Sequence, residues 1–188
     1  MSYWGSWRRL AVLTVCVLVA AAVGLSKGWA SATVDPPSPP PVCQLIRPEV
    51  FDLLVPRHGP LQAGGEEKSL PGARSKTCQA ESTSTTDGER ASLWVVLARF
   101  GRHDGQGPRC ITIDGLLLNP VNRVKHPVAL GDAAVYFLEG DSVTSQVIHL
   151  SACIGTYLVY VRYEVVGATD AAVVESATSV AQEVLSWL

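Results

Sequence analysis

The clearest pattern in the chain is an alternation of apolar and polar residues near its C-terminus. Over residues 156–166 the odd-numbered positions hold aromatic and β-branched side chains: Tyr157, Val159, Val161, Tyr163 and Val165. The even-numbered positions become polar along the segment: Leu158, Tyr160, Arg162 and Glu164. A period of two with one apolar side is typical of a strand in a sheet that has one covered face. Residues 143–153 precede this segment across Ile154-Gly155, which predicts a hairpin.

Further strands are predicted where short apolar runs lie between turn residues. These runs cover residues 78–83, 92–100, 109–114 and 133–138, and Glu139-Gly140-Asp141 predicts a hairpin turn after the last run. Residues 57–76 are rich in Gly, Pro and charge, so we expect them to form a mobile surface loop. Residues 116–131 are expected to form a long connection.

Two segments have the residue spacing of helices. Pro48 and Glu49 suit the first turn of a short helix that ends before Pro56. Its apolar face is predicted to contain Val50, Phe51, Leu53 and Leu54. A longer helix is predicted over residues 170–188, capped by Thr169 or Asp170, with this apolar stripe: Val173, Ala177, Val180, Val184 and Leu188. The chain is therefore predicted to be an α+β domain, with an antiparallel sheet of about five or six strands and both helices packed on one face.

Residues 1–32 have the layout of an export signal. Arg8 and Arg9 precede an uncharged apolar run over residues 10–25, and Ala30-Ser31-Ala32 provides a small-x-small cleavage site. The run is 16 residues long, between the length of a cleaved signal and that of a membrane-spanning helix. Cleavage after Ala32 and retention of residues 10–25 as a membrane tether both remain open. In either case the rest of the chain is expected outside the cell membrane, secreted or anchored.

The exported part divides into a Pro-rich linker over residues 33–41 and one domain over residues 42–188. The prolines predict a stiff, extended spacer. All 17 acidic residues and 12 of the 15 basic ones follow residue 32, so this part carries a net charge of −5. A mildly acidic body argues against nucleic acid as a partner.

Four cysteines follow the signal: Cys43, Cys78, Cys110 and Cys153. An even number of cysteines in an exported chain predicts two disulfides, and three connectivities are possible. We favour Cys43–Cys78 and Cys110–Cys153, because the first would tie the N-terminal segment to the sheet and the second would link two strand ends. A zinc site is the alternative, but no Cys-x-x-Cys pair supports it.

The sequence contains no recognisable catalytic or cofactor-binding motif. It has no Gly-x-Ser-x-Gly, no Gly-rich phosphate loop and no paired histidines at metal-ligand spacing, so we assign no catalytic, cofactor or metal residues. If the protein is an enzyme, its candidate bases are His103, beside Asp104, and His149, within a strand. The aromatic residues of the predicted strands either pack the core or line a ligand groove: Trp94, Tyr136, Phe137, Tyr157, Tyr160 and Tyr163.

Four short motifs follow the signal and the Pro-rich linker in order. They are Cys43-Gln44-Leu45-Ile46, Cys78-Gln79, a Leu-Gly-Asp-Ala-Ala run over residues 130–134, and a final helix that ends in Val-Leu-Ser-Trp-Leu. In this order the chain resembles the actinobacterial exported DUF3558-type proteins and, more loosely, extracellular sensor domains of the PknH type. It departs from them in lacking a lipobox and in having Ala80 where an aromatic residue is usual. The resemblance implies an α+β fold and an envelope location, and it supplies no catalytic residues.

Three functions remain open from the sequence. The first, which we favour, is a non-catalytic module of the cell envelope that binds a small ligand or an envelope protein. The second is a structural accessory of an envelope complex, tethered through residues 10–25. The third is an enzyme with dispersed catalytic residues, which a histidine brought close to a carboxylate in a pocket would favour.

Overall fold

The alternating segment identified in the sequence forms the central strand of an antiparallel sheet. The computed structural model describes residues 36–67, 73–83, 90–101, 123–141 and 145–188. These residues contain seven strands in the order β1-β2-β3-β7-β6-β5-β4. The strands are β1 (Gln62–Glu67), β2 (Ala73–Glu81), β3 (Ala91–Phe100), β4 (His126–Pro127), β5 (Ala133–Asp141), β6 (Ser145–Ile154) and β7 (Tyr157–Val165).

Two helices and one 3-10 turn complete the described structure. The turn spans Val42–Gln44, helix α1 spans Pro48–Leu54, and helix α2 spans Asp170–Leu185. The Thr169 hydroxyl accepts a hydrogen bond from the Ala172 backbone N–H and caps α2, as predicted. No helix among the described ranges is long and apolar enough to cross a membrane.

The predicted α+β architecture with an antiparallel sheet and a C-terminal helix is confirmed, but the described residues contribute seven strands to the sheet, where about five or six were predicted. The extra strand β1 lies in a segment predicted to be a loop. It pairs with β2 at the sheet edge, and at Gly64 a Cβ would collide with the Thr77 Oγ1. An edge strand is held mainly by main-chain hydrogen bonds, so it needs no apolar alternation. Strand β4 is only two residues long, too short to produce a pattern.

Strand β5 extends further than the sequence predicts. The turn at Glu139-Gly140-Asp141 is wrong, because β5 continues through Asp141 and pairs Gly140 with Gln146. Gly140 has a φ of 86°, which accounts for its turn-like sequence signal within the strand. The strand predicted over residues 109–114 lies outside the described residues.

The core lies between one face of the sheet and the two helices. The odd-numbered residues of β7 face it, as predicted, with Val159, Val161 and Tyr163 buried. From α2, Val173, Ala177, Val180 and Val184 are completely buried. The predicted fifth member of that stripe, Leu188, is 37% exposed because the helix ends at Leu185.

The Pro-rich segment packs against the domain over its described part. Pro36, Pro39 and Val42 are buried, whereas Pro37, Ser38 and Pro41 are exposed. A burial period of three is expected of a polyproline II helix that lays one face on a surface. The backbone of Pro41 is extended, with φ −64° and ψ 116°, and one side of the stretch from residue 36 is buried.

Of the two predicted disulfides, Cys43–Cys78 is present, with the Cα atoms 5.2 Å apart. It joins the 3-10 turn to β2 on the core face of the sheet. The other predicted bridge involves Cys110, which lies outside the described residues. Its proposed partner, Cys153, is buried on the opposite face of the sheet.

Candidate functional site

A groove of about 680 Å³ runs between α1 and α2 on the outer side of the helical layer. We call it the interhelical groove. Its α1 wall is built from Arg47, Val50, Leu53 and Leu54. Its α2 wall is built from Glu175, Ser176, Ser179, Gln182, Glu183, Ser186 and Trp187. The volume lies within the range of small-molecule and peptide-binding clefts.

Two exposed apolar side chains line the groove. Leu53 is 77% exposed and Trp187 is 66% exposed. Leu53 was predicted to share the buried face of α1, and this is wrong. A helix turns by about 100° per residue, so Leu53 lies about 200° around from Phe51, which faces the core. The sequence spacing therefore contained the signal that Leu53 points away from the sheet.

An ion pair connects the two walls of the groove. Glu183 Oε1 accepts a hydrogen bond from Arg47 Nε at 2.7 Å and another from the Arg47 backbone N–H at 2.9 Å. The hydrogen bond to Glu183 and its negative charge raise the pKa of Arg47 above the usual value. Arg47 is the residue immediately before α1, so this contact sets the position of α1 relative to α2.

The groove is acidic overall. Neither helix contains Lys or Arg. Glu175 and Glu183 line the groove, and the charge of Glu49 reaches Arg47 as well. Three carboxylates against one guanidinium give this region a net charge of −2.

The opposite face of the sheet, here called the second face, carries a row of aromatic and ionisable side chains. Adjacent strands pair Trp94 with Arg162, Arg162 with His149, and His149 with Phe137. The His149 and Phe137 rings stack with centroids 4.4 Å apart and an interplanar angle of 6°. Tyr160 packs edge-on against Trp94, with ring centroids 5.5 Å apart.

His149 is the one predicted candidate base that lies within the described residues. Its Nδ1 lies 2.6 Å from the Tyr160 hydroxyl, and its Nε2 lies 3.3 Å from Glu139 Oε2, close but not aligned as a hydrogen bond. Burial lowers the pKa of His149, although the Glu139 charge opposes this. The side chain is 14% exposed. The fold thus brings a histidine to a carboxylate, which the enzyme hypothesis required.

The chemistry of this cluster favours a structural role. Burial raises the pKa of Tyr160 to about 12, so the phenol stays protonated and is a weak nucleophile. The Phe137 ring covers one side of the imidazole. From β6, His149 thus contacts both neighbouring strands, β5 through the Phe137 ring and β7 through the Tyr160 hydroxyl.

The aromatic residues that were predicted to pack the core or to line a ligand groove lie on both faces of the sheet. Tyr136, Tyr157 and Tyr163 belong to or pack against the core, and Trp94, Phe137 and Tyr160 lie on the second face. His103 and Asp104 lie outside the described residues. In the parts of the chain that the structure covers, no three His, Cys, Asp or Glu side chains form a group that could hold a metal ion.

Sequence reasoning missed the interhelical groove, because it depends on the angle at which two distant helices meet. Its ionic contact joins residues 136 positions apart. Comparisons with known proteins found no matching family model, no similar curated protein and no similar solved structure. The geometry of the chain itself must therefore support any functional proposal.

Proposed function

We propose that this chain is an exported cell-envelope protein whose domain is a non-catalytic binding module, with the interhelical groove as its binding site. The observation that carries this proposal is the position of Leu53 and Trp187. Two large apolar side chains remain exposed in one groove, although the helices that form it bury other apolar residues in the core.

The exposure of these side chains has an energetic meaning. Burying a leucine side chain completely stabilises a complex by about 1.5 to 3 kcal/mol. Single exposed apolar residues are normal on a protein surface, but a cluster within a concave site is typical of a binding surface. Arg47 and Glu183 hold the groove walls in place before any partner arrives, which reduces the entropy lost on binding.

Export is proposed from residues 1–32 and from the cysteines. The Cys43–Cys78 disulfide supports an oxidising compartment, in which such bridges persist. We also propose the second bridge, Cys110–Cys153. The resemblance to exported DUF3558-type proteins agrees with this location. If residues 10–25 are retained, the same domain becomes a membrane-tethered accessory.

Site-specific crosslinking in the native cell envelope tests the proposal. A photo-reactive residue placed at position 53 is compared with one at position 124. Val124 is a matched control, because it is 74% exposed against 77% for Leu53 and does not line the groove. We expect a discrete adduct from position 53 only, in the extracytoplasmic fraction. Equal labelling at both positions, or labelling at neither, would contradict the groove as the binding site.

A further inference from the structure

We infer that the interhelical groove receives an amphipathic helical segment of a partner protein, one that carries apolar side chains flanked by Lys or Arg. This inference rests on the proposed function, since it names the chemistry of the partner at the same site. Three properties of the groove support it: its negative charge, its exposed apolar side chains and its shape.

The charge of the groove selects for a cationic partner. Glu175 lines the groove two helical turns before Glu183, and Arg47 is already neutralised by Glu183. The carboxylate of Glu175 therefore remains available to an incoming cation. An opposite charge in a rim position gives specificity and a faster association rate.

The end of α2 adds to the same preference. A helix carries a partial negative charge at its C-terminus, and the last turn of α2 contains no basic residue to balance it. Trp187 lies two residues after Leu185, the last residue of α2, so this apolar side chain is close in sequence to the negative pole of the helix. In the partner, an apolar side chain would contact Trp187, and a neighbouring Lys or Arg would interact with the negative end of α2.

The walls of the groove suit a helix better than a compact small molecule. Ser176 and Ser179 are small residues on the α2 wall, so a helix can approach closely. Leu53 and Trp187 then meet the apolar stripe of that helix from its two sides. Binding of an amphipathic helix through such anchors is a recurring mode of recognition.

The same charges argue against a second copy of this chain as the occupant. Both helices that form the groove carry acidic residues and no basic ones, so two such surfaces would repel each other. An anionic lipid surface is disfavoured for the same reason.

Three labelled peptides test the inference on the purified full-length chain. Each has about 15 residues and the same leucine face, and the flanking residues are lysine, glutamate or glutamine. Binding is measured by fluorescence anisotropy at low and at high ionic strength. We expect the lysine peptide to bind about tenfold more tightly than the glutamate peptide, with the difference shrinking at high salt.

Variants locate the site. Leu53→Ala and Trp187→Ala should each weaken binding of the lysine peptide by about fivefold or more. Glu175→Gln should reduce the preference for lysine by about threefold. Val124→Ala and Glu81→Gln are the matched controls, because each changes an exposed residue of the same kind outside the groove. A thermal melt of each variant checks that the fold is retained.

The outcomes separate this inference from the proposed function. Equal binding of all three peptides, or loss of binding in the control variants, overturns the inference. If no peptide binds while position 53 still crosslinks in the envelope, the partner chemistry is wrong and the binding site stands. A dimer in light scattering that Leu53→Ala dissociates identifies a second copy as the occupant and also overturns the inference. If the peptides bind in the groove but position 53 does not crosslink, the proposed function itself fails.

Discussion

Glu183 of α2 accepts two hydrogen bonds from Arg47, one from the side chain and one from the backbone N–H that precedes α1. The carboxylate is 11% exposed, whereas the Arg47 side chain is 74% exposed. A well-packed acceptor therefore holds an otherwise solvated arginine. Through this contact a short N-terminal helix is positioned against a helix at the other end of the chain.

Replacing Glu183 tests the importance of this contact for stability. Glu183→Ala removes the acceptor for the Arg47 backbone N–H, so we expect the free energy of unfolding to fall by about 1 kcal/mol, or roughly 2 to 4 °C in Tm. Glu183→Gln keeps an oxygen acceptor and should cost less. Thermal unfolding of the two variants at one salt concentration measures the difference. Equal losses in both would show that the charge matters and the acceptor does not.

Tyr163 provides the second prediction. Its hydroxyl donates a hydrogen bond to the Leu54 backbone carbonyl at 3.0 Å, and the residue is 5% exposed. Tyr163→Phe leaves that carbonyl without this partner at the end of α1, so we expect a loss of about 1 to 2 kcal/mol. Urea denaturation measures it. Hydrogen exchange should show faster opening of α1 than of the central strands, and uniform acceleration would contradict this anchoring role.

The Cys43–Cys78 bridge closes a sequence separation of 35 residues. By loop entropy, the double variant Cys43→Ala with Cys78→Ala should lose about 3 to 4 kcal/mol of stability. Urea denaturation of the oxidised proteins measures this loss. An unchanged midpoint in the double variant would contradict a stabilising role for the bridge.

Intact mass before and after reduction and alkylation tests the number of bridges and the fate of the signal. Two bridges are expected in the unreduced protein. Alkylation of Cys110 and Cys153 without prior reduction would exclude the second proposed bridge. A mass that begins at Thr33 indicates a released domain, and a full-length mass in the membrane fraction indicates a tethered one.

The lowered pKa of His149 predicts that the free energy of unfolding decreases in mild acid. Its pKa is lowered in the folded protein, first by burial and then by the charges of Arg162 and Arg123, while Glu139 acts in the opposite direction. As the pH falls below the usual value of 6.5, the unfolded chain binds a proton that the folded protein does not. The free energy of unfolding should therefore decrease from this pH downwards, until the folded pKa is reached.

The pH dependence is measured by urea denaturation between about pH 7.5 and pH 5. His149→Gln should flatten the curve, and His126→Gln, which changes an exposed histidine of β4, is the control. Glu139→Gln should lower the pKa of His149 further, as followed by NMR titration of the imidazole. A His149 pKa above 6.5 would be the contrary result.

Sequence patterns predicted the elements whose burial repeats regularly. The alternation over β7 and the 3.6-residue stripe of α2 both reflect one side facing a core, and both are confirmed. The Cys43–Cys78 bridge is likewise confirmed. Strand β1 was not predicted, because an edge strand is held by main-chain hydrogen bonds and needs no apolar alternation. The end of β5 was predicted to be a turn, because Gly140 is a residue typical of turns.

What the sequence determined by itself was therefore the kind of domain: strands with one covered face, a C-terminal helix that covers it, and a bridge to the N-terminal segment. The strands and the helix can be predicted because each has a local period of apolar residues in the sequence. Only the tertiary structure decided where the surface features meet. Arg47 contacts Glu183, and Leu53 and Trp187 line one groove, because the sheet fixes the positions of two helices that lie far apart in sequence.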